Sequence, residues 1–211
     1  MQAAIRWSPH STAYHQRFLV LNLVDHNIRL YDVEESRGKV LKYKEIACHT
    51  NLPPCRAYDW SPAEEALVAF GLSSGEATLL RIDNVSHGTI SFPVKSQRAC
   101  NSVAFSKLGL LATGLEKVRN DFCLNIWDVN QRLSTWDRRK NIGWGGGIKY
   151  VEPVRRLASS ESIGSIKFFP DQPNVLVTGV ASGAAGKYVR VYDLRGEILG
   201  YSHQTSSGIG H

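Results

Sequence analysis

The sequence lacks the long apolar runs of a membrane-spanning protein and the leader of a secreted one. The longest apolar stretch, FLVLNLV at 18–24, is interrupted by Asn22 and falls well short of the roughly 18 residues that cross a bilayer. The first ten residues, MQAAIRWSPH, show no basic head followed by an apolar segment, which is the pattern of a signal peptide. We therefore expect a protein that contacts a membrane at most peripherally.

Metal-binding and redox patterns are also missing. The four cysteines are Cys48, Cys55, Cys100 and Cys123. None of them forms the C-x-x-C pair that is typical of zinc sites and redox pairs. The seven histidines show no ligand spacing; His10, His15 and His26 are near one another but not at helical intervals. We expect reduced, mostly buried thiols, no metal and no cofactor.

No nucleotide-binding or catalytic motif is recognisable. The segment GVASGAAGKY at 179–188 resembles a phosphate loop, but Ala181 replaces its first glycine and Tyr188 replaces its hydroxyl residue. A strand pattern rather than a helix follows it, so we interpret this segment as a hairpin loop. We expect a protein that is not an enzyme. An enzyme stays an alternative, because acids or histidines that converge in space leave no mark in the spacing of the sequence.

The chain does contain a repeated pattern of apolar, polar, apolar, aromatic, aspartate and apolar residues. The pattern occurs in IRLYDV, CLNIWDV and VRVYDL, around Tyr31-Asp32, Trp127-Asp128 and Tyr192-Asp193. Upstream of each copy lies a short apolar strand that ends in an aromatic residue and a turn. The upstream aromatic residues of the three copies are Trp7, Phe105 and Phe168. A further unit, which lacks the aspartate pattern, has Trp60 at the same position.

Each repeat unit reads as four short strands in about 45 residues, which is the signature of a β-propeller blade. The alternation of apolar and polar residues favours strands over helices. The second unit has Leu80-Arg81 in place of the aromatic–Asp pair but keeps the spacing. We predict an all-β fold, a partial β-propeller of about four blades over 1–200, followed by a polar tail over 201–211.

The repeat residues have a predicted structural role. The aromatic ring at the end of the third strand is expected to fill the space between neighbouring blades, and the aspartate after it to bind turn amides. This set of repeat-structural residues is Trp7, Tyr31, Asp32, Trp60, Phe105, Trp127, Asp128, Phe168, Tyr192 and Asp193.

The net charge of +6 is concentrated in one segment, which has seven basic and three acidic residues between 130 and 163. We interpret 131–162 as an exposed insertion that contributes to partner contact but not to folding, with an acidic protein or an anionic membrane surface as its partner. The candidate partner-binding residues are Arg138, Arg139, Lys140, Trp144, Arg155 and Arg156. Nucleic acid is a weaker alternative, because no recognised binding module is present.

The third unit carries a more specific resemblance. The segments CNSVAF at 100–105 and LLATGLEKVRNDFCLNIWDV at 110–129, with WSPH at 7–10 and IRLYDVE at 28–34, resemble the Mio family of WD-repeat proteins. Members of that family are subunits of the SEA/GATOR complex, and the resemblance covers roughly 5–195. Family members continue through further blades, a helical solenoid and a zinc-binding region, so we expect this chain to be a fragment, a truncated gene product or a short isoform.

The resemblance implies a non-catalytic WD-repeat scaffold that regulates TOR complex 1 signalling in response to amino acids. It implies other WD-repeat subunits as partners, and a location in the cytoplasm or at the vacuolar or lysosomal surface. The alternative from the residues alone is a WD-repeat reader that binds nucleic acid or histone tails through the basic insertion. Binding that weakens steeply with salt would favour that alternative.

Overall fold

The computed structural model describes residues 3–13, 15–34, 42–83, 89–133, 152–158, 161–180 and 189–196. In this part of the chain every element is a β-strand except a short helical turn over 129–133. None of the helical structure within these ranges is long and apolar enough to cross a membrane. The strands form four antiparallel sheets that follow one another along the chain, and we call these sheets blades 1 to 4.

The first two blades each contain four strands in sequence order. Blade 1 consists of β1 (Ala3–Trp7), β2 (Gln16–Asn22), β3 (Asn27–Glu34) and β4 (Lys42–His49). Blade 2 consists of β5 (Cys55–Trp60), β6 (Leu67–Leu72), β7 (Ala77–Arg81) and β8 (Thr89–Phe92). In both blades each strand pairs antiparallel with the next strand along the chain.

Blades 3 and 4 repeat this order. Blade 3 consists of β9 (Cys100–Phe105), β10 (Leu110–Leu115), β11 (Leu124–Asp128) and β12 (Arg155–Leu157). Blade 4 has three strands in the described part of the chain, β13 (Ile163–Phe168), β14 (Val175–Val180) and β15 (Val189–Asp193). The four successive sheets confirm the predicted partial propeller.

The strand register aligns the repeat residues in one row across each blade. In blade 3, Phe105 lies opposite Leu111, which lies opposite Trp127 on the next strand. The equivalent rows of the other blades are Trp7–Phe18–Tyr31, Trp60–Val68–Leu80 and Phe168–Leu176–Tyr192. Residues opposite one another point to the same face of a sheet, so each row presents its side chains on one face. Leu80 therefore occupies the position of the missing aromatic residue in blade 2.

The blades pack face to face through three apolar clusters, one at each junction. The face that carries the row of repeat residues, which we call the aromatic side, lies against the preceding blade. The opposite face, which we call the aliphatic side, lies against the following blade. At the first junction Leu19 and Leu30 of blade 1 belong to the same cluster as Trp60 of blade 2. Every junction between consecutive blades has this polarity.

The structure corrects the boundaries of the predicted insertion. Residues Arg155–Leu157 form the fourth strand of blade 3, in which Leu157 lies opposite Leu124 and Arg156 opposite Asn125. Leu157 is buried in the cluster between blades 3 and 4. This end of 131–162 therefore belongs to the folded blade, because its backbone pairs with β11 and its Leu157 side chain is buried.

This correction gives a stability prediction. We expect Leu157→Ala to lower the free energy of unfolding by about 2–4 kcal/mol, because the substitution leaves a cavity in a packed cluster. Val154→Ala is the matched control, since Val154 lies just before the same strand with 52% of its surface exposed. Urea unfolding followed by circular dichroism measures both. Equal midpoints for Leu157→Ala and the wild type would show that β12 does not contribute to the fold.

Candidate partner-binding surfaces

Trp127 lies at the junction of blades 2 and 3. Only 1% of its surface is exposed, and its ring centroid is 5.1 Å from that of Phe92 at the end of β8. Its indole Nε1 donates a hydrogen bond to Thr113 Oγ1 at 3.0 Å, on the neighbouring strand. A large ring with its one polar group satisfied is well suited to fill the space between two sheets.

The aspartates of the repeat have different surroundings. Asp128 Oδ1 accepts a hydrogen bond from the Gln131 amide at 3.0 Å, at the start of the helical turn. Asp193 accepts hydrogen bonds from the backbone and the guanidinium of Arg195, and these bonds lower the pKa of its carboxyl group to about 2. Asp32 lies 3.6 Å from His15 Nε2. Asp128 and Asp193 thus accept hydrogen bonds from residues of the turn that follows them, whereas Asp32 lies beside the basic side chains of His15 and Arg17.

The basic candidate residues are only partly described. Arg138, Arg139, Lys140 and Trp144 lie outside the described residues. Arg155 is exposed on β12, and its Nη1 donates to the Gly196 carbonyl at 3.3 Å. Arg156 forms an ion pair with Glu152 at 3.1 Å, so its charge is compensated locally. The two described members of this set are thus edge-strand residues of blade 3.

The aromatic side of blade 1 carries four rings, of which Trp7 and Tyr43 are exposed and Phe18 and Tyr31 are half-buried. Phe18 stacks on Tyr31 with a centroid distance of 5.0 Å, and Trp7 and Tyr43 pack edge-on against Phe18 at 5.5 and 6.2 Å. Trp7 is 60% exposed and Tyr43 69% exposed. Ile5, 64% exposed, continues this surface along β1. These five residues form one apolar patch, which we call the blade 1 patch.

The exposure of the blade 1 patch contrasts with equivalent positions in the other blades. Trp60, Phe105 and Tyr192 occupy the same row in blades 2, 3 and 4, and each is at most 5% exposed. The difference follows from position, because each of those blades has a preceding blade packed against it. Exposed apolar patches of this kind mark interaction surfaces.

Charged groups border the blade 1 patch. Arg29 on β3 forms an ion pair with Glu45 on β4 at 2.9 Å, and the hydroxyl of Tyr31 donates to Glu45 Oε2 at 3.4 Å. Sequence reasoning identified Trp7 and Tyr31 but missed Phe18 and Tyr43. Their signal was the alternation along β2 and β4, which places both on the same face as Tyr31.

The cysteines are free thiols, and among the described residues no group of histidine, cysteine and acidic side chains is arranged to hold a metal ion. Cys100 is completely buried at the junction of blades 2 and 3. Burial raises the pKa of the Cys100 thiol to about 12. Cys48 is half-buried on β4. Thiol reactivity therefore reports on the packing of blade 2 against blade 3.

We expect iodoacetamide at pH 8 to alkylate Cys48 in the native protein and Cys100 only after denaturation. A pKa about four units above the working pH leaves on the order of one thiolate in ten thousand, and only the thiolate reacts. Pulsed alkylation followed by mass spectrometry measures the two rates. Similar native rates at Cys48 and Cys100 would show that the junction between blades 2 and 3 is open.

Sequence comparisons place the chain among known proteins, although no protein-family model matches it. It is 24% identical over 192 residues to the GATOR2 complex protein MIOS of Dictyostelium discoideum, with 74% of this chain and 17% of that protein covered. It is 26% identical over 219 residues to the GATOR2 complex protein MIOS of Danio rerio, with 90% and 24% covered. An uncharacterised WD repeat-containing protein of Schizosaccharomyces pombe is 26% identical over 132 residues, with 63% and 12% covered.

The chain thus spans less than a quarter of the length of each of these relatives. The similarity to the two MIOS proteins covers most of this chain, and the four sheets have the strand order of propeller blades. Over most of its length the chain is therefore similar, in sequence and in the order of its strands, to WD-repeat proteins of the Mio family.

Proposed function

We propose that the chain is a non-catalytic scaffold in a GATOR2/SEA-type complex that regulates TOR complex 1 in response to amino acids. The names of its relatives support membership of such a complex. The single structural observation that carries the proposal is the blade 1 patch. Its Trp7 and Tyr43 rings are exposed, whereas Trp60, Phe105 and Tyr192 on the same side of the later blades are buried. A surface of this kind is suited to protein contact rather than to chemistry.

The chemistry of the patch indicates the kind of partner. Tryptophan and tyrosine are the residues most enriched at binding hot spots, and Trp7, Tyr31 and Tyr43 supply three of them. Within the chain, the equivalent side of each later blade packs mainly on leucine, isoleucine and alanine side chains of another blade, and at the junction of blades 2 and 3 also on Phe92. The proposed partner is therefore a WD-repeat protein that presents the aliphatic side of a blade.

The proposed location follows from the proposed role. A TOR-regulating scaffold acts in the cytoplasm and at the vacuolar or lysosomal surface, and it reaches that surface through its complex. Any direct membrane contact is peripheral. The basic reader of nucleic acid or histone tails is less well supported, because Arg156 pairs with Glu152 and Arg155 binds a carbonyl group.

The proposal is tested by purifying a tagged chain from its source organism and identifying the bound proteins by mass spectrometry. We expect other WD-repeat subunits of the complex with the wild type and a strong loss with Trp7→Asp. Val24→Asp is the matched control, since Val24 is 64% exposed on blade 1 at the turn between β2 and β3. Equal recovery of those subunits with both variants would contradict the role of the patch.

The signalling part of the proposal has its own readout. Cells that lack the chain are expected to show an altered response of TOR complex 1 substrate phosphorylation when amino acids are withdrawn and restored. Expression of the wild type should rescue this response, and Trp7→Asp should not. An unchanged phosphorylation response in the deletion strain would contradict a role in this pathway while leaving membership of the complex intact.

A further inference from the structure

A pocket of about 200 Å³ lies where the turns after the first strands of blades 2, 3 and 4 come together. Its apolar walls come from equivalent positions in the three blades, namely Trp60, Phe105 and Phe168, with Phe169 beside them. Phe169 is 41% exposed and forms the accessible part of the wall. The pocket is therefore an open, largely apolar site that shares no lining residue with the blade 1 patch.

Hydrogen bonds hold the turns around the pocket. Ser61 Oγ accepts from the amides of Ala63 and Glu64 at 3.2 and 3.1 Å. In blade 3, Ser106 Oγ accepts from the Leu108 amide at 3.2 Å and donates to the Pro173 carbonyl of blade 4 at 2.6 Å. The site is thus largely preformed, which reduces the entropy that a ligand must overcome.

The floor of the pocket contains a buried carboxylate whose two oxygens are both engaged. Asp59 Oδ1 lies 3.2 Å from Arg6 Nη1, and its Oδ2 accepts from the Phe105 amide at 2.9 Å. Burial raises the pKa of Asp59, while that amide, Arg6 and Lys167 act against the increase. Arg6 balances the charge of Asp59, so this carboxylate ties blades 1, 2 and 3 together rather than attracting a cationic ligand.

Two exposed lysines line the same pocket, Lys107 in the turn of blade 3 and Lys167 in β13 of blade 4. Within the described residues, neither ammonium group lies within ion-pair distance of a carboxylate, although Lys167 is close enough to affect Asp59. Once Asp59 is balanced by Arg6, the site keeps an excess of positive charge. Both lysines therefore favour an anionic group in the pocket over a cationic one.

We propose that this pocket binds an acidic peptide segment of a partner protein, with an aromatic or bulky apolar side chain against Phe169 and flanking carboxylates at Lys107 and Lys167. Apolar walls combined with a few charged groups are typical of specific ligand sites. An apolar wall with two lysines beside it suits a peptide that combines a bulky side chain with acidic neighbours, rather than a compact anion. The site is separate from the blade 1 patch, so this proposal does not depend on the one above.

The test is fluorescence anisotropy with a fluorescein-labelled Glu-Glu-Trp-Glu-Glu peptide and the purified chain. We expect saturable binding that the Lys107→Glu/Lys167→Glu variant weakens at least tenfold. Lys117→Glu/Arg119→Glu is the matched control, because it makes the same change in net charge at two exposed residues at the opposite end of blade 3. This control should change the affinity by less than twofold. Circular dichroism checks that the three proteins contain the same amount of sheet.

Two further measurements test the apolar part of the site. Phe169→Ala should weaken binding at least threefold, and a Glu-Glu-Ala-Glu-Glu peptide should bind at least fivefold more weakly than the tryptophan peptide. A Lys-Lys-Trp-Lys-Lys peptide should not bind. The proposal is overturned if the wild type does not bind the acidic peptide, if the lysine peptide binds equally well, or if Lys117→Glu/Arg119→Glu weakens binding as much as Lys107→Glu/Lys167→Glu.

Discussion

Trp127→Ala is expected to lower the free energy of unfolding by about 3–5 kcal/mol, as is typical when a large buried aromatic side chain is truncated in a core. Trp127 is 1% exposed and packs on Phe92 of the preceding blade. Its removal leaves a cavity at the junction of blades 2 and 3 and leaves Thr113 Oγ1 without its indole donor. Because domains are stable by only about 5–15 kcal/mol, this loss is a large part of the total.

Urea unfolding followed by circular dichroism measures this effect, with two variants that separate its causes. Trp127→Phe keeps most of the ring volume and removes the indole donor. Thr113→Val removes the hydrogen-bond acceptor at similar volume, and we expect it to cost about 1–2 kcal/mol. A loss below 1 kcal/mol for Trp127→Ala would contradict the view that this ring holds two blades together.

The blades were predictable because their signals are local. Alternation of apolar residues and a turn after an aromatic residue fix a strand and its end with no reference to distant parts of the chain. Trp7, Trp60, Phe105 and Phe168 each end the first strand of a blade, as their spacing predicts. Leu80 occupies the position on the third strand of blade 2 that an aromatic residue occupies in the other blades. The strand pairing therefore defines the repeat more reliably than the aromatic residue does.

Two features depend on distant residues and were not predictable from local patterns. The strand Arg155–Leu157 is three residues long and begins with two arginines, so charge alone indicates a solvated loop. Its pairing with β11 joins residues about 30 positions apart, and no short pattern records such a contact. Trp7 and Trp60 likewise lie in nearly identical motifs, yet one is 60% exposed and the other 4%. Only the presence of a neighbouring blade distinguishes them.

The two outer faces of the four-blade array differ in chemistry. The first face is the blade 1 patch. The last face is the aliphatic side of blade 4, where Val177, Val189 and Val191 lie on the side away from the blade 3 junction, with Lys167 opposite Val177 at one end of this face. Within the chain, an aromatic side always packs on an aliphatic side of another blade. The first face of one molecule therefore matches the last face of a second molecule.

We accordingly expect the isolated chain to self-associate, with the blade 1 patch of one copy on the aliphatic side of blade 4 of another. Such head-to-tail contact forms rings or open chains. At about 25 cal/mol per Å², covering two faces of several hundred Å² each supplies on the order of 10 kcal/mol before the entropy of association is subtracted. Analytical ultracentrifugation over a range of protein concentrations should show species larger than the monomer.

A single charge in the blade 1 patch should reverse this behaviour. Trp7→Glu places a carboxylate in the proposed interface, and the 60% exposure of Trp7 means that the substitution costs little within the monomer. We expect this variant to sediment mainly as a monomer, because a charge that is buried without a partner is strongly unfavourable. Val24→Glu, at a turn of the same blade, should associate like the wild type. A wild type that sediments as a monomer and unfolds cooperatively would contradict self-association, because the chain would then be stable with both outer faces exposed to solvent. The blade 1 patch would then be available to a different partner.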